Sequence, residues 1–193
     1  MANSRRDVLD AARALLQRTS LGDLSMRRLA TELGVRPNAL YWHFPNKQTL
    51  LAALGDDILA SIAAPDTSSA WDERLTELAV ALRNRLLSVT DSAELVSSSW
   101  ASGLSEMAIA DVVWAAASSG GLSDADAHAV TTAICQLTIG LTIEEQTRIQ
   151  MERLGVAEPS GRDFTGEFDA ALRVVVDGAR HRAAIGTSAV SVT

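Results

Sequence analysis

Apolar positions recur at helical spacing along most of the chain, in segments that glycine and proline punctuate but seldom interrupt, which predicts an all-α protein. From Arg5 to Arg18, the residues Val8, Ala11, Ala12, Leu15 and Leu16 form one face of an amphipathic helix. Gly22 ends the linker after it, and Ser25 caps a second helix with Leu29, Ala30 and Leu33 inward. Gly34 stands where a left-handed turn needs a residue without a Cβ, and Pro37 supplies the fixed φ of a first helical position. The short helix that Pro37 opens keeps only Leu40 and Phe44 for the interior. Pro45 stops it, and Asn46 caps a fourth helix through Leu50, Leu51, Leu54, Ile58 and Ile62.

The polar break Pro65-Asp66-Thr67-Ser68-Ser69 separates this head, residues 1–64, from a longer body, residues 65–185. In the body, residues 71–89 form an amphipathic helix with Leu75, Leu78, Ala79, Leu82 and Leu86 inward. Residues 92–102 and 105–118 make two shorter helices. Gly120-Gly121 breaks the chain, and Ser123 caps a long helix to about Leu154. A loop with Gly155, Pro159 and Gly161 leads to a last helix from 164 to about 184. The tail, residues 186–193, is small and polar and is expected to lack structure.

Two body helices differ from simple surface helices. No charge falls between Ala129 and Ile143, where Thr131, Cys135, Thr138 and Thr142 make a stripe of small residues. On the last helix Phe164, Phe168, Leu172, Val175, Val176 and Ala179 make a broad apolar stripe. One domain of this size has difficulty burying both, so the stripes are expected at the interface of a homodimer, packed on their own copies as a four-helix bundle. The alternative is that both lie in the core of the single chain.

A hydrophobic content of 47% is ample for such a core. No run approaches the roughly 18 apolar residues of a membrane span, and Met1 to Asp7 lack the apolar stretch of a signal peptide, so no membrane association and a cytoplasmic location are expected. A single cysteine, Cys135, excludes an intramolecular disulfide and a cysteine-rich metal site. The net charge of −7 argues against nucleic acid when taken whole, but it is unevenly spread. Residues 1–50 hold eight Lys/Arg against four Asp/Glu, and the remainder nine against twenty. A basic head on an acidic body is expected when one module meets phosphates and the other does not.

A helix, a tight glycine turn and a second short helix make a helix-turn-helix. Its second helix presents Arg36, Asn38, Ala39, Tyr41, Trp42 and His43 outward, with amide and guanidinium groups for base edges and apolar surface for thymine methyls. Arg27 and Arg28 begin the preceding helix, within reach of a phosphate or guanine at the groove edge. Lys47, the only lysine, stands at the first turn of the fourth helix, where phosphate is also favoured.

Leu29-Ala30-x-x-Leu33-Gly34-Val35, followed by Leu40-Tyr41-Trp42-His43-Phe44-x-Asn46-Lys47-x-x-Leu50-Leu51, resembles the DNA-binding domain of the TetR family of bacterial repressors. The spelling Leu-Tyr-Trp-His is closest to the tetracycline-repressor branch. The segment from Leu137 to Gln146 is similar to the dimer helix of that branch. The resemblance implies that Arg27 contacts a base, that Pro37 to His43 enter the major groove of a double-stranded operator, and that Tyr41, His43 and Lys47 hold the backbone. Arg36, Pro37, Asn38 and Ala39 differ from the tetracycline repressors, which implies a different operator sequence.

The resemblance further implies a small-molecule effector held in a cavity of the body. Its candidate lining is Leu59, Ile62, Leu82, Leu86, Val96, Ser99, Trp100, Met107, Trp114, Gln136 and Ile139. Tetracycline repressors hold a drug-bound magnesium and the drug with two histidines, and the matching positions here read Val96 and Ala63. Magnesium-tetracycline is therefore not the expected effector; an apolar molecule with few polar handles is. No phosphate loop, no nucleophile with a base and no metal-ligand cluster is legible, so neither an enzyme nor a cofactor site is expected. The other reading left open is a DNA-binding regulator whose body binds a protein partner or no ligand.

Overall fold

A reciprocal cap starts the first helix. Ser4 Oγ accepts the Asp7 amide, and the Asp7 carboxylate accepts the Ser4 amide at 2.7 Å. From there the computed structural model describes residues 4–190, and among them the protein is all-α with nine helices. These are α1 (Arg5–Arg18), α2 (Met26–Glu32), α3 (Pro37–Tyr41), α4 (Lys47–Leu59), α5 (Trp71–Leu87), α6 (Ser92–Ala101), α7 (Ala108–Ser118), α8 (Asp124–Arg153) and α9 (Phe164–Val190). Ser25, Asn46 and Ser123 each cap the helix expected of them.

The helices fall into two compact units that do not follow the chain order. The first runs up to Ser61 and also takes in residues 85–107, so α6 belongs with the helices of the head. Its core is Val8, Leu9, Ala12, Leu15, Leu16, Leu29, Leu40, Phe44, Leu50, Leu54 and Ile58. Gly55 lets α6 lie close on α4: a Cβ there would come within 3.0 Å of Leu95 Cδ2. The last turn of α4 is tied to its neighbours, with Arg6 and Arg13 on the Asp57 carboxylate and Arg85 Nε donating to the Ile58 carbonyl at 2.5 Å.

The second unit comprises residues 62–84 and those from 108 onward. Here α8 packs against both α7 and α9. Thr131, Cys135, Thr138 and Thr142 are buried within the single chain, and so are Phe168, Leu172, Val176 and Ala179, while Val175 is half-buried. These positions are already covered within the single chain, where α8 packs on α7 and α9 and the Arg83 guanidinium of α5 lies over the Phe168 ring. The threonine hydroxyls need no outside partner: Thr131, Thr138 and Thr142 donate to the carbonyls of Ala127, Ile134 and Thr138 at 2.8, 2.7 and 2.7 Å.

Three helix limits also differ from expectation. Ile62 lies beyond α4, which ends at Leu59; Pro65 ahead lacks the amide a longer helix would use. The third body helix begins at Ala108 rather than 105, because Met107 has a left-handed φ of 52°. α9 continues past Gly186 to Val190, where sequence placed an unstructured tail; with no proline to stop it, each residue extends the bond ladder. Residues 191–193 lie outside the described residues. Among the described residues, no helix is long and apolar enough to cross a membrane.

Candidate nucleic-acid interface

The turn between α2 and α3 is closed by backbone bonds alone. Val35 N donates to Ala30 O at 2.9 Å and Gly34 N to Thr31 O at 3.1 Å, with Gly34 at φ 64°. This paired closure satisfies the last carbonyls of α2 and requires a residue free to adopt positive φ. Pro37 then occupies the first turn of α3. Asn46 and Thr49 close a second box at the start of α4, Thr49 N donating to Asn46 Oδ1 at 2.9 Å. The five residues of α3 are thereby held at both ends by chain geometry.

Only two side chains fasten this segment inward. Leu40 and Phe44 are buried, and the Arg5 guanidinium lies 5.0 Å from the Phe44 ring centre. Everything else faces out. Arg36, Pro37, Asn38, Ala39 and Tyr41 are exposed, and Trp42 is 90% exposed. His43, just past the end of α3, and Lys47 are half-buried. Val35, Arg36, Asn38, Ala39, Leu40, Trp42 and His43 line a depression of about 520 Å³. Val35 is the lining residue that sequence reasoning missed; its place directly after the turn glycine was the available signal.

Charge in this region is largely left uncompensated. Arg27 and Arg28 lie exposed on α2, and Arg28 is 3.9 Å from Asp23. Among the described residues, no carboxylate pairs with Arg27, Arg36 or Lys47. Unpaired cations around an exposed aromatic platform are suited to a polyanion whose bases offer flat apolar faces. The Asp7 carboxyl is held below its ordinary 3.8 by the amide and then the hydroxyl of Ser4, with a smaller pull from His43.

The residues expected around an effector are distributed differently. Leu59, Leu82, Leu86, Val96, Ser99, Trp100 and Ile139 are buried, Ile62 and Trp114 half-buried, and Gln136 and Met107 exposed. They divide between the two units. Val96 and Ser99 lie against Gly55 of α4, within 3.5 and 3.8 Å of where its Cβ would stand, and the Ser99 hydroxyl is taken by the Leu95 carbonyl. Gln136 points to solvent because it lies on the side of α8 opposite its buried stripe. Trp114 stacks on His128 at 5.7 Å, and its indole N–H is buried with no acceptor among the described residues. Among the described residues, no three His, Cys, Asp or Glu side chains gather as a metal site.

The family described as bacterial regulatory proteins, tetR family, matches residues 8–54, and the tetracyclin repressor-like C-terminal domain matches residues 64–167. The tetracycline repressor protein class A from transposon 1721 of Escherichia coli is 33% identical over 194 aligned positions, covering 91% of this chain and 89% of the repressor. BioQ of Mycobacterium smegmatis superposes with a TM-score of 0.84 at 41% identity, covering 93% of this chain and 99% of BioQ. A structure of BioQ with its natural double-stranded DNA operator superposes at 0.80 and 40% identity, covering 92% and 98%. A single-residue variant of TetR from Acinetobacter baumannii AYE, in complex with minocycline, superposes at 0.77 and 27% identity, covering 91% and 96%.

Proposed function

The chain belongs to the tetR family of bacterial regulatory proteins, and we propose that it acts as a homodimer on a palindromic operator and releases it when a small, largely apolar effector binds. Membership makes it a ligand-responsive DNA-binding repressor and not an enzyme. One observation carries the DNA reading: the segment from Pro37 to Phe44 is fastened by Leu40 and Phe44 and leaves Pro37, Asn38, Ala39, Tyr41 and Trp42 exposed, Trp42 at 90%. Arg36 and Asn38 offer hydrogen bonds to base edges, and Ala39 and Trp42 offer apolar surface to thymine methyls. Tyr41, His43, Lys47, Arg27 and Arg28 take the flanking phosphates and the groove edge.

The dimer is supported by what α8 and α9 leave outside. Ala129, Thr132, Gln136 and Gly140 on α8, and Ala170, Val174, Gly178 and Ile185 on α9, are exposed and uncharged. At Gly140 and Gly178 an added Cβ would meet nothing. No neighbour in the chain requires glycine there, although each weakens its helix by about 1 kcal/mol relative to alanine. Close approach of a second copy supplies the reason. Two α3 helices about 34–36 Å apart then reach successive major grooves.

For release, the tight seat of α6 on Gly55 matters. A ligand that displaces α6 moves α4 with it, and a near-complete switch needs a preference of roughly 5.5 kcal/mol for the released form. Leu82 and Trp114 of the second unit favour an apolar effector, and the buried indole N–H of Trp114, with no acceptor among the described residues, favours one carrying a single acceptor oxygen. Magnesium-bound tetracyclines fit poorly, because Val96 and Ala63 stand where the resemblance expects histidines.

Selection of duplexes from a random pool tests the proposal. A palindromic consensus, bound by two chains in sedimentation, supports it; a pool with no enriched duplex overturns the DNA reading.

A further inference from the structure

Asp91 breaks two local rules at once. It stands at the N-cap of α6, where aspartate ordinarily turns its carboxylate onto an amide of its own first turn, yet it makes no such bond. It also adopts φ 54° and ψ 12°, the left-handed region that side chains occupy only against a steric penalty. The gain is long-range. Asp91 Oδ2 accepts the Leu21 amide at 2.8 Å, across 70 residues of sequence and within the first unit.

Leu21 belongs to the turn between α1 and α2, just ahead of the Ser25 cap. That turn is internally braced: Asp23 N donates to Ser20 O at 3.1 Å, Leu24 N to Leu21 O at 3.3 Å, and Leu24 is fully buried. From it the chain runs through α2 and the Gly34 turn into α3. The other side of the tie is also fixed. Ser92 Oγ donates to the Leu86 carbonyl at 2.5 Å, and α6 is seated on Gly55. Beyond the far end of α6, the Asp56 carboxylate accepts Ser105 Oγ at 2.5 Å and Glu106 N at 3.1 Å, directly before left-handed Met107. Both ends of α6 are therefore bound to the segments that carry α3.

We infer that Asp91 is a positioning residue for DNA recognition: through the Leu21 amide it makes α6 set the height of the α1–α2 turn, and with it the orientation of α2 and α3. The inference rests on the DNA reading above. A residue serving only to start α6 would cap it, and one serving only the turn would be glycine. Aspartate serves neither role as well as it serves Leu21, and a doubly unfavourable local choice marks a long-range constraint.

The test uses the full chain and the duplex it selects from a random pool. Asp91→Gly suits the left-handed backbone and removes the acceptor, whereas Asp91→Asn keeps an acceptor and tolerates the same φ. D91G is expected to melt close to the unaltered chain but to bind the duplex about tenfold more weakly, about 1.4 kcal/mol. Hydrogen exchange at the Leu21 amide is expected to accelerate in D91G, and D91N to restore both properties. Unaltered duplex affinity in D91G, unchanged Leu21 exchange, or weakening that merely tracks a fall in melting temperature would overturn the inference. Leu21 exchange reads the tie with no DNA present, so a pool without an enriched duplex defeats the DNA reading and leaves the tie separately decided.

Discussion

The indole of Trp71 lies against Gly120 so closely that a Cβ on the glycine would stand 2.3 Å from the ring. Trp71 opens α5 and Gly120 follows α7, so this contact locks two ends of helices in the second unit. A ring cannot give way as a flexible chain end does. Gly120→Ala is therefore expected to destabilise by about 1–3 kcal/mol through overpacking. Thermal unfolding checks it; an unchanged Tm would mean that the indole has room to move.

Arg83 and Glu145 form a nearly buried ion pair at 2.6 Å, with Thr165 Oγ1 accepting a second bond at 3.3 Å and the Phe168 ring 5.2 Å below the guanidinium. Arg83→Met leaves Glu145 as an uncompensated charge, with an expected loss of about 3–5 kcal/mol. The double change Arg83→Met with Glu145→Leu is expected to recover most of it. A denaturant double-mutant cycle reads the difference, and equal losses in the single and double variants would refute the account.

Trp42 and Leu40 separate recognition from folding. Trp42→Ala, at an exposed site, is expected to change stability by no more than about 0.5 kcal/mol. It is expected to weaken the selected duplex by about tenfold or more, which is at least roughly 1.4 kcal/mol. Leu40→Ala removes a buried anchor and is expected to cost about 2–5 kcal/mol of stability. Melting curves beside duplex titrations check the pair. Undiminished affinity in W42A would remove the indole from the interface.

Gly178→Leu tests the proposed dimer face. Within the chain a Cβ at this exposed position meets nothing, so the monomer fold is expected to hold. Sedimentation is expected to show a shift from dimer toward monomer. Thr138→Val, at a fully buried position, is expected to leave the dimer intact. Persistence of the G178L dimer at micromolar concentration would place the interface elsewhere.

Burial pushes the Cys135 thiol up to about 12. The thiolate that attacks disulfide reagents is then scarce at neutral pH. The native chain is expected to resist Ellman's reagent and to release one equivalent after denaturation. Rapid native labelling would show that α8 opens locally.

Much of the head was legible in the sequence because its signals are local. Ser25, Gly34, Pro37 and Asn46 each act within a few residues, and the structure uses each as a cap, a positive-φ turn or a first helical position. The inward and outward sides of α3 and the residues just after it follow from the same segment, Leu40 and Phe44 in, Trp42 out. Limits set by distant contacts were less visible: the Ala108 start of α7 follows a loop that Asp56 of α4 holds.

The sequence by itself determined the helical class, most helix starts and the outward set of α3, since capping and 3.6-residue periodicity are properties of neighbours along the chain. Only the tertiary structure decided that Thr138 and Phe168 are covered within one chain, that α6 belongs with the head, and that Asp91 serves Leu21 rather than its own helix. Periodicity marks a helix face as apolar but carries no information about which surface covers it. That choice is made by packing between segments far apart in sequence, where one chain's helix and a second copy's helix offer chemically similar partners.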